Sequence, residues 1–406
     1  MAADQSPAPD GLRPHDRQYR RALLALFATG IAAFAMVYVV QPLLPLVSAE
    51  LGVNATRTSL LVSVSTFAIA VAVLPLARLS ERLGRGRTMV LGLGGAVLGG
   101  VGAALAPGFG LLLLARGVQG AALAAVPAAA LAWVAENVAP GWVTRVAGLY
   151  IAGTTLGGMG GRVLGGVVAD VTSWRTALLT VALLGAALTA AAALLLPRRA
   201  RPRTRLRGTA AGTDAPAPRA GRAARLRVYL LGGLGMAMFV GIYNVVAYRT
   251  HAPPFLLGTG LGSMFYLTYL AGTATSSVAG RLERRVGLRT TTLVGLAACL
   301  AGVLLTLPDS LVLIWVGLAV VAAGFFMVHA VASAGSARLS PRPSDGSGTY
   351  TLAYYLGSSV GGVVLGQAWE SGAWGGTVLT AAAVIAVAGL VAAGLPRSTS
   401  SRRTSS

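Results

Sequence analysis

Residues 148–166 read GLYIAGTTLGGMGGRVLGG, and residues 348–366 read GTYTLAYYLGSSVGGVVLG. The two stretches are related, because seven residues of the first are identical to the residue 200 positions later. A second match pairs residues 79–84, LSERLG, with residues 282–287, LERRVG, at an offset of 203. These correspondences predict that the chain consists of two halves that repeat one arrangement of segments in the same direction.

The composition identifies a membrane protein. Of the 406 residues, 55% are hydrophobic and only 11% are charged, whereas about a quarter of residues are charged in a typical soluble domain. Long apolar runs recur along the chain and lack the alternation of barrel strands, so they predict membrane-spanning helices. The fold class is therefore expected to be all-α, with twelve transmembrane helices in two parallel six-helix repeats. The predicted spans are residues 21–47, 57–77, 88–106, 111–135, 143–168, 175–196, 228–250, 261–280, 290–307, 311–335, 347–368 and 375–395.

The arginines predict the orientation of these spans. The net charge of +21 arises from 33 arginines and no lysine, and most arginines share one side if both termini lie in the cytoplasm. Because they stand in short loops between apolar runs, we expect a lipid bilayer and not a nucleic acid as the partner. The predicted order is a cytoplasmic tail, a six-helix bundle, an Arg-rich cytoplasmic linker, a second six-helix bundle and a second tail, at residues 1–20, 21–196, 197–227, 228–395 and 396–406.

Three motifs carry a resemblance to a known family. Residues 77–87, ARLSERLGRGR, are similar to the pattern G-x-L-x-D-R-x-G-R-R, with Glu81 in the place of the aspartate. Residues 112–120, LLLARGVQG, are similar to L-x-x-x-R-x-x-Q-G. Residues 148–166 are similar to the antiporter signature G-x8-G-x3-G-P-x-x-G-G, with Arg162 where proline is usual. Together, and in this order, the motifs resemble those of the major facilitator superfamily of transporters.

The resemblance implies a secondary active transporter that works by alternating access, with its substrate site between the halves. Residues 38–46, YVVQPLLPL, and 243–255, YNVVAYRTHAPPF, are similar to a narrower group of bacterial inner-membrane exporters of sugars or drugs, which includes an acriflavine-sensitivity subfamily. That group implies proton-driven efflux of a small molecule, with protons as the coupling ion. The protein is expected to be a monomer that needs no metal and no cofactor. The alternatives are an importer, a non-transporting membrane sensor on the same fold and, least favoured, a membrane-embedded enzyme.

The resemblance also implies a conformational latch at the cytoplasmic surface. Its residues are Glu81, Arg82, Gly84 and Arg85. Glu81 is expected to face the N-terminus of the eleventh helix, near Ser347, where unpaired amides and the helix dipole favour an anion. The alternative is that Glu81 is an ordinary charge in a basic loop.

Two arginines fall inside predicted spans, where a charge costs about 2.5–3.5 kcal/mol on insertion scales. Arg116 stands one helical turn from Gln119, which can accept a hydrogen bond from it. Arg162 flanks a stripe of glycines and is expected either to face the central cavity or to bond exposed carbonyls or Asp170. If both arginines face the substrate, they favour an anionic or oxygen-rich molecule, because a guanidinium donates hydrogen bonds as a fork.

His329 is the candidate proton site. Histidine alone titrates near neutral pH without perturbation, and no aspartate or glutamate lies well inside any predicted span. The alternative for His329 is ordinary hydrogen-bonded packing. The absence of a carboxylate weakens an interpretation as an exporter of cationic drugs. Further candidates for contact with the substrate are Tyr38, Gln41, Asn244 and Tyr354.

Glycines at intervals of four line one face of the fifth predicted helix. Small residues at this spacing let a neighbouring helix approach closely. We expect them to form packing surfaces that also slide during the transport cycle. The glycines are Gly153, Gly157, Gly161 and Gly165, with Gly357 and Gly361 in the second half. Beyond the stripe, Asp170 corresponds to Glu370 in charge.

Overall fold

The computed structural model describes residues 11–197 and 221–396. Within them the first half of the chain is almost entirely helical, with short 3-10 turns at Gln41–Leu43 and Pro140–Trp142. Its helices are α1 (Arg17–Tyr38), α2 (Leu44–Leu51), α3 (Ala55–Leu83), α4 (Arg85–Ala104), α5 (Phe109–Leu123), α6 (Ala125–Asn137), α7 (Val143–Val171) and α8 (Trp174–Leu195).

The second half is also helical and contains two very long helices. A 3-10 turn at Met264–Thr268 joins α10 to α11. Gly287 interrupts α11 with a φ of 85°, and Gly372 and Ala373 interrupt α13 with non-helical backbone angles. Each of these helices therefore provides parts of two spans. The helices of the second half are α9 (Arg222–His251), α10 (Thr259–Ser263), α11 (Tyr269–Leu305), α12 (Leu311–Leu339) and α13 (Pro343–Ala393).

The helices account for the predicted number of spans. In residues 11–197 and 221–396, nine segments are long and apolar enough to cross a membrane. Two of these, Thr259–Leu305 and Asp345–Ala393, contain the kinks and each correspond to two predicted spans. α7 is not among the nine, because its glycines and Arg162 lower its hydropathy, but its 29 residues are long enough to span. The described residues thus contain twelve spans.

The first and fourth spans are interrupted, although the apolar runs predicted continuous helices. α1 ends at Tyr38 and α5 ends at Leu123. Each end lies four residues before a proline, Pro42 or Pro127. Because proline has no N–H, it cannot donate the helical hydrogen bond to the carbonyl four residues earlier. Both breaks therefore have a cause that is visible in the sequence.

Several helices extend beyond the apolar runs. α1 begins at Arg17, inside the predicted first tail, and α9 begins at Arg222, inside the predicted linker. α3 continues to Leu83, through part of the predicted latch. These corrections have one physical reason, since a helix can continue into polar sequence where it leaves the apolar layer. Residues 1–10 of the predicted first tail, 198–220 of the predicted linker and 397–406 of the predicted second tail lie outside the described residues.

The described residues form two compact units, which differ from the sequence halves in two segments. Val53–Ser63, from the first half, belongs to the second unit, and Gly258–Met264, from the second half, belongs to the first unit. Within the first unit α1 packs on α7 and α8, and α4 packs on α5 and α8. Within the second unit α9 packs on α13 and α12, and α11 packs on α12.

Glycines bring α7 directly against the backbone of α1. A methyl group at Gly161 would stand 2.5 Å from the Cα of Ala35. α13 approaches α9 in the same way, because a methyl group at Gly357 would stand 2.6 Å from the carbonyl carbon of Gly233. Even alanine would require the helices to move apart at these positions. Of the other glycines predicted to pack, Gly153, Gly157 and Gly361 approach backbone in the same way, while Gly165 meets the Val39 side chain.

Candidate functional site

Arg116 lies in the interior of the first unit and binds the end of α1. It is fully buried. Its guanidinium donates to the carbonyl oxygens of Met36 and Val37, at 2.9 and 2.5 Å, and to the side-chain oxygen of Gln119. Gln119 in turn donates to the carbonyl of Ala96 at 3.0 Å, which fixes its amide. A cation at a helix C-terminus is stabilised by the helix dipole, so Arg116 compensates for the break in the first span.

Arg162 reaches the same break from α7. Its side chain is buried, with 1% of the residue exposed. Its Nε donates to the side-chain oxygen of Gln41 at 2.5 Å, and one terminal nitrogen donates to the carbonyl of Gly158 at 2.6 Å. The guanidinium carbon stands 4.2 Å from the centre of the Tyr38 ring, at the distance of a cation–π contact. Gln41, in the 3-10 turn after the break, is fully buried.

The break in the first span therefore gathers most of the predicted site residues of the first half. Arg116 holds the last turn of α1, and Arg162 holds the turn that follows it. Asp170, one of the acceptors expected for Arg162, lies two helical turns further along α7 against Gly258. The carbonyl that Arg162 does contact belongs to its own helix. The structure thus brings five predicted residues together around the break, from α1, the 3-10 turn after it, α5 and α7: Tyr38, Gln41, Arg116, Gln119 and Arg162.

Aromatic rings dominate the interior of the second unit. Neighbouring rings in this series have centroids 4.0 to 5.9 Å apart. The series crosses from α9 and α11 through α12 to α13. We call it the aromatic series; its members in order are Tyr243, Tyr269, Phe239, Phe325, His329 and Tyr354.

His329 stands near one end of the aromatic series and is half-buried. Its Nδ1 forms a hydrogen bond of 2.9 Å with the hydroxyl of Tyr350, which is buried. The Tyr354 ring lies 4.8 Å from the imidazole, centre to centre. This arrangement can fix the imidazole and pass a proton or a hydrogen bond between the two side chains.

Asn244 lies apart from His329, where α9 meets α13. It is fully buried. A methyl group at Gly362 would stand 2.8 Å from the Asn244 amide nitrogen and 2.8 Å from the hydroxyl of Ser63. Gly362 corresponds to Arg162 by the offset of 200 residues, so the two halves differ at this depth. In the second unit a small residue leaves room for an amide where the first unit has a guanidinium.

The predicted latch residues cluster around Arg85. Its guanidinium donates to Glu81 at 3.3 Å, to Glu136 at 3.1 Å and to the carbonyl of Ala77 at 2.9 Å. Glu81 is half exposed, whereas Arg85 is largely covered. Gly84 has a φ of 91°, which only glycine adopts readily. The sequence did not indicate Glu136 as a partner of Arg85.

Arg82 is exposed and belongs to the same end of α3. Beside these residues lies a cavity of about 540 Å³, lined by Arg85, Trp133 and Glu136 among others. Its charged lining residues are Arg85, Arg87 and Glu136. Among the described residues, no group of histidine, cysteine and acidic side chains is placed to hold a metal ion.

Glu370 makes a contact that sequence reasoning missed. It accepts hydrogen bonds from the backbone N–H of Thr56 at 2.8 Å and from the side-chain amide of Asn54 at 2.9 Å. Its counterpart Asp170 lies against Gly258, where a methyl group would stand 2.6 Å from the carboxylate. The signal was the shared charge of the two acids in the repeat. The pattern did not indicate which segments they would meet.

The comparisons with known proteins agree with this architecture. Residues 26–364 match the Major Facilitator Superfamily. The chain is 33% identical over 383 residues to the inner membrane transport protein YnfM of Escherichia coli (strain K12), covering 94% of this chain and 91% of that protein. It is 31% identical over 363 residues to the uncharacterized MFS-type transporter YybF of Bacillus subtilis (strain 168), covering 89% of each.

A solved structure with the same fold is that of a bacterial homolog to the human lysosomal transporter Spinster, in an inward-facing and occupied conformation. The TM-score is 0.72 at 16% identity, covering 94% of this chain and 96% of that chain. The matches confirm the resemblance inferred from the three motifs and the expected twelve-helix fold. This chain belongs to the Major Facilitator Superfamily and is a multi-pass membrane transporter that works by alternating access.

Proposed function

We propose that the protein is a proton-coupled exporter of a small organic molecule in the bacterial cytoplasmic membrane. The similarity of its first and seventh helices to sugar and drug exporters supports export, and the name of the Escherichia coli relative supports the inner membrane. The arginine distribution supports cytoplasmic termini. The protein acts as a monomer, and its substrate is sugar-like or drug-like in size.

The cluster around Arg162 is the observation that carries the substrate class. The Arg162 guanidinium lies over the Tyr38 ring and beside the Gln41 amide, at the break in the first span. A planar guanidinium recognises carboxylates and closely spaced oxygens through paired hydrogen bonds. The interiors of the predicted spans contain two arginines and no acidic residue, so their charge favours a substrate that is anionic or rich in oxygen over a cationic drug.

Arg116 has a different role in this proposal. Its bonds to the carbonyls of Met36 and Val37 keep the end of α1 in position. Gln119 orients the Arg116 fork from one turn away. Arg116 therefore shapes the broken first span, and Arg162, Gln41 and Tyr38 offer the groups that select the substrate.

His329 is the proposed coupling residue. Its bond to Tyr350 and its contact with Tyr354 support a protonatable group whose orientation is fixed. Histidine can take up and release a proton near neutral pH. Proton transfer at His329 would change the charge within the aromatic series in each transport cycle. Asn244, on α9, would contribute a neutral hydrogen-bonding group.

Flux in proteoliposomes tests this function. Purified protein is reconstituted, a pH gradient of either sign is imposed, and sugars, organic anions and hydrophobic cations are screened as labelled substrates. We expect movement of an oxygen-rich or anionic compound against its gradient, opposite to the proton flow. Flux with the proton flow would make the protein an importer, and no flux with any class would favour a sensor.

The arginine variants test the substrate class in the same assay. Arg162→Gln removes the charge and Arg162→Lys keeps the charge but removes the fork. Arg145→Gln is a matched control, because Arg145 lies on the same helix α7 but is exposed. We expect both Arg162 variants to lose apparent affinity and the Arg145 variant to keep it. Unchanged affinity in both Arg162 variants would contradict the proposed site.

A further inference from the structure

The segment Val53–Ser63 forms a tight seam with α13 inside the second unit, which we call the α3–α13 seam. A methyl group at Gly366 would stand 3.1 Å from the Cα of Thr56 and 3.1 Å from the hydroxyl of Ser59. The seam excludes water, because Ser59 is only 1% exposed. Its surfaces are smooth, since glycine on α13 faces small side chains on α3.

Inside the seam, one polar group is buried without a hydrogen bond that would offset the cost of removing it from water. The Ser59 hydroxyl is buried and has no hydrogen-bond partner within the described residues. Burying a hydroxyl without a partner costs free energy that contact with water would recover. The interior of the seam therefore favours separation to some extent, and something else must favour closure.

Glu370 supplies such an interaction at the rim of the seam. Its carboxylate accepts from the backbone N–H of Thr56 and from the Asn54 amide, so it occupies the N-terminus of α3. Asn54 already caps this helix, because its side-chain oxygen accepts from the N–H of Arg57 at 3.0 Å. A carboxylate at a helix N-terminus gains from both the unpaired amides and the dipole. Glu370 thus completes a cap that the first half of the chain begins.

The repeat contains a related arrangement in the first unit. Gly166 on α7 lies against Ser263, since a methyl group there would stand 2.6 Å from the Ser263 hydroxyl oxygen. Asp170 lies against Gly258 and Gly260 at the start of the short helix α10. The two segments that belong to the other unit, Val53–Ser63 and Gly258–Met264, therefore share one kind of contact. Each lies against a glycine of a long helix and against an acid one helical turn later on that helix. Only for Glu370 do the described contacts include hydrogen bonds to the opposing helix end, so it is the stronger candidate.

We propose that Glu370 is a positioning residue of the transport cycle that holds the α3–α13 seam closed. The seam separates when the hydrogen bonds from Thr56 and Asn54 break, and the buried Ser59 hydroxyl then meets water. By the predicted orientation this end of the protein faces outward. Glu370 then sets how often the outer side opens, without touching the substrate.

A cysteine reporter inside the seam tests the proposal. Ser59→Cys is introduced into the full-length protein in liposomes, and its reaction with a water-soluble maleimide is timed. The native Cys299 is buried and gives the background rate. We expect Glu370→Gln to raise the labelling rate about tenfold, as the loss of a hydrogen bond to a charged group would do. Asp345→Asn, a change at an exposed acid near the start of α13, is the control and leaves the rate unchanged.

A charge exchange separates positioning from general loosening. Asn54→Asp keeps a capping oxygen for Arg57 but repels Glu370, so labelling rises. Adding Glu370→Gln to Asn54→Asp restores an amide opposite a carboxylate, and labelling falls back toward the parent rate. An unchanged rate in Glu370→Gln would overturn the proposal. A double variant that labels as fast as the faster single variant would also overturn it, since mere destabilisation accumulates and is not rescued.

Discussion

The helix pair α1–α7 in the first unit and the pair α9–α13 in the second are built on the same contacts. Gly157 meets the backbone of Ile31, and Gly357 meets the backbone of Gly233, so both pairs touch through main chain. Beyond these contacts, the first helix of each pair ends differently. α1 ends at Tyr38, whereas α9 continues as a helix to His251. At this depth the first pair carries a guanidinium and the second carries a glycine beside an amide.

The comparison separates what the repeat preserves from what it changes. Close contact between two backbones favours glycine, and the closest of these positions, Gly157 and Gly161, recur as Gly357 and Gly361. The positions beside them face side chains, which can vary without moving the helices. The first unit uses that freedom for a charged cluster at a broken helix, and the second unit uses it for the aromatic series with His329.

The largest effect is expected from adding a methyl group to the shared contact. We expect Gly161→Ala and Gly361→Ala each to destabilise the protein by about 1–3 kcal/mol, because the helices must separate to admit a Cβ. Thermal unfolding in detergent measures the loss. If only one of the two variants had a lowered unfolding temperature, the two helix pairs would not depend on the same contact.

Neighbouring glycines provide the controls for this prediction. Gly160 and Gly389 lie on α7 and α13, and a methyl group there would meet nothing within 4 Å. Alanine is favoured over glycine in a helix by about 1 kcal/mol. Gly160→Ala and Gly389→Ala should therefore keep or raise the unfolding temperature. A fall equal to that of Gly161→Ala would show that sensitivity to alanine is general along these helices.

An effect of comparable size separates the two arginines of the first unit. Arg116→Gln should lower stability, since a buried group that loses its partner costs about 1–3 kcal/mol. Arg162→Gln should lower apparent substrate affinity by roughly tenfold or more, because hydrogen bonds to charged groups contribute about 1.5–3 kcal/mol. Unfolding temperature and flux in proteoliposomes measure the two effects. If the effects were exchanged, Arg116 would be the substrate residue and Arg162 the structural one.

The sequence contained enough to predict the scaffold. The offset of 200 residues identified the two halves, and the apolar runs identified the spans. It also identified Arg116 and Arg162 as the two arginines inside predicted spans. The meeting of both at the break after Tyr38 was missed, although Pro42 was a usable signal, because the apolar run continues across the proline. An apolar run shows that a segment is hydrophobic, but it does not show where a proline removes a backbone N–H from the helix.

Contacts between distant segments were beyond the sequence. Glu370 binds Thr56, which lies 314 residues earlier in the chain, and no spacing rule connects two such positions. Arg85 likewise binds Glu136 from a different helix. The latch motif suggested which residues are charged near the surface, but their partners depend on how the helices pack.

The effect expected at His329, in the second unit, falls on proton coupling and leaves stability and substrate binding intact. His329→Gln keeps a hydrogen-bonding group beside Tyr350 but cannot carry a proton. We expect substrate binding to persist and accumulation driven by a pH gradient to be lost. Tyr350→Phe should reduce accumulation in part, because the imidazole loses its partner, whereas Tyr150→Phe, at the repeat position in the first unit, should not. Normal accumulation in His329→Gln would move the proton site elsewhere.

The smallest expected effect concerns Glu81, which has Arg284 as its counterpart at the offset of 203 residues. Glu81 is half exposed and shares Arg85 with Glu136, so its removal leaves Arg85 one carboxylate. We therefore expect the Glu81→Ala variant to fold normally. Labelling of a cysteine introduced on the cytoplasmic side should increase by only a few-fold, since exposed ion pairs contribute about 0–1 kcal/mol. Arg284→Ala is the matched control, at the repeat position that carries an arginine in place of the acid. If Glu81 acts as a latch, only its variant increases labelling. Equal labelling in both variants would leave Glu81 as one charge among many in a basic loop, and the two halves would then be equivalent at this surface.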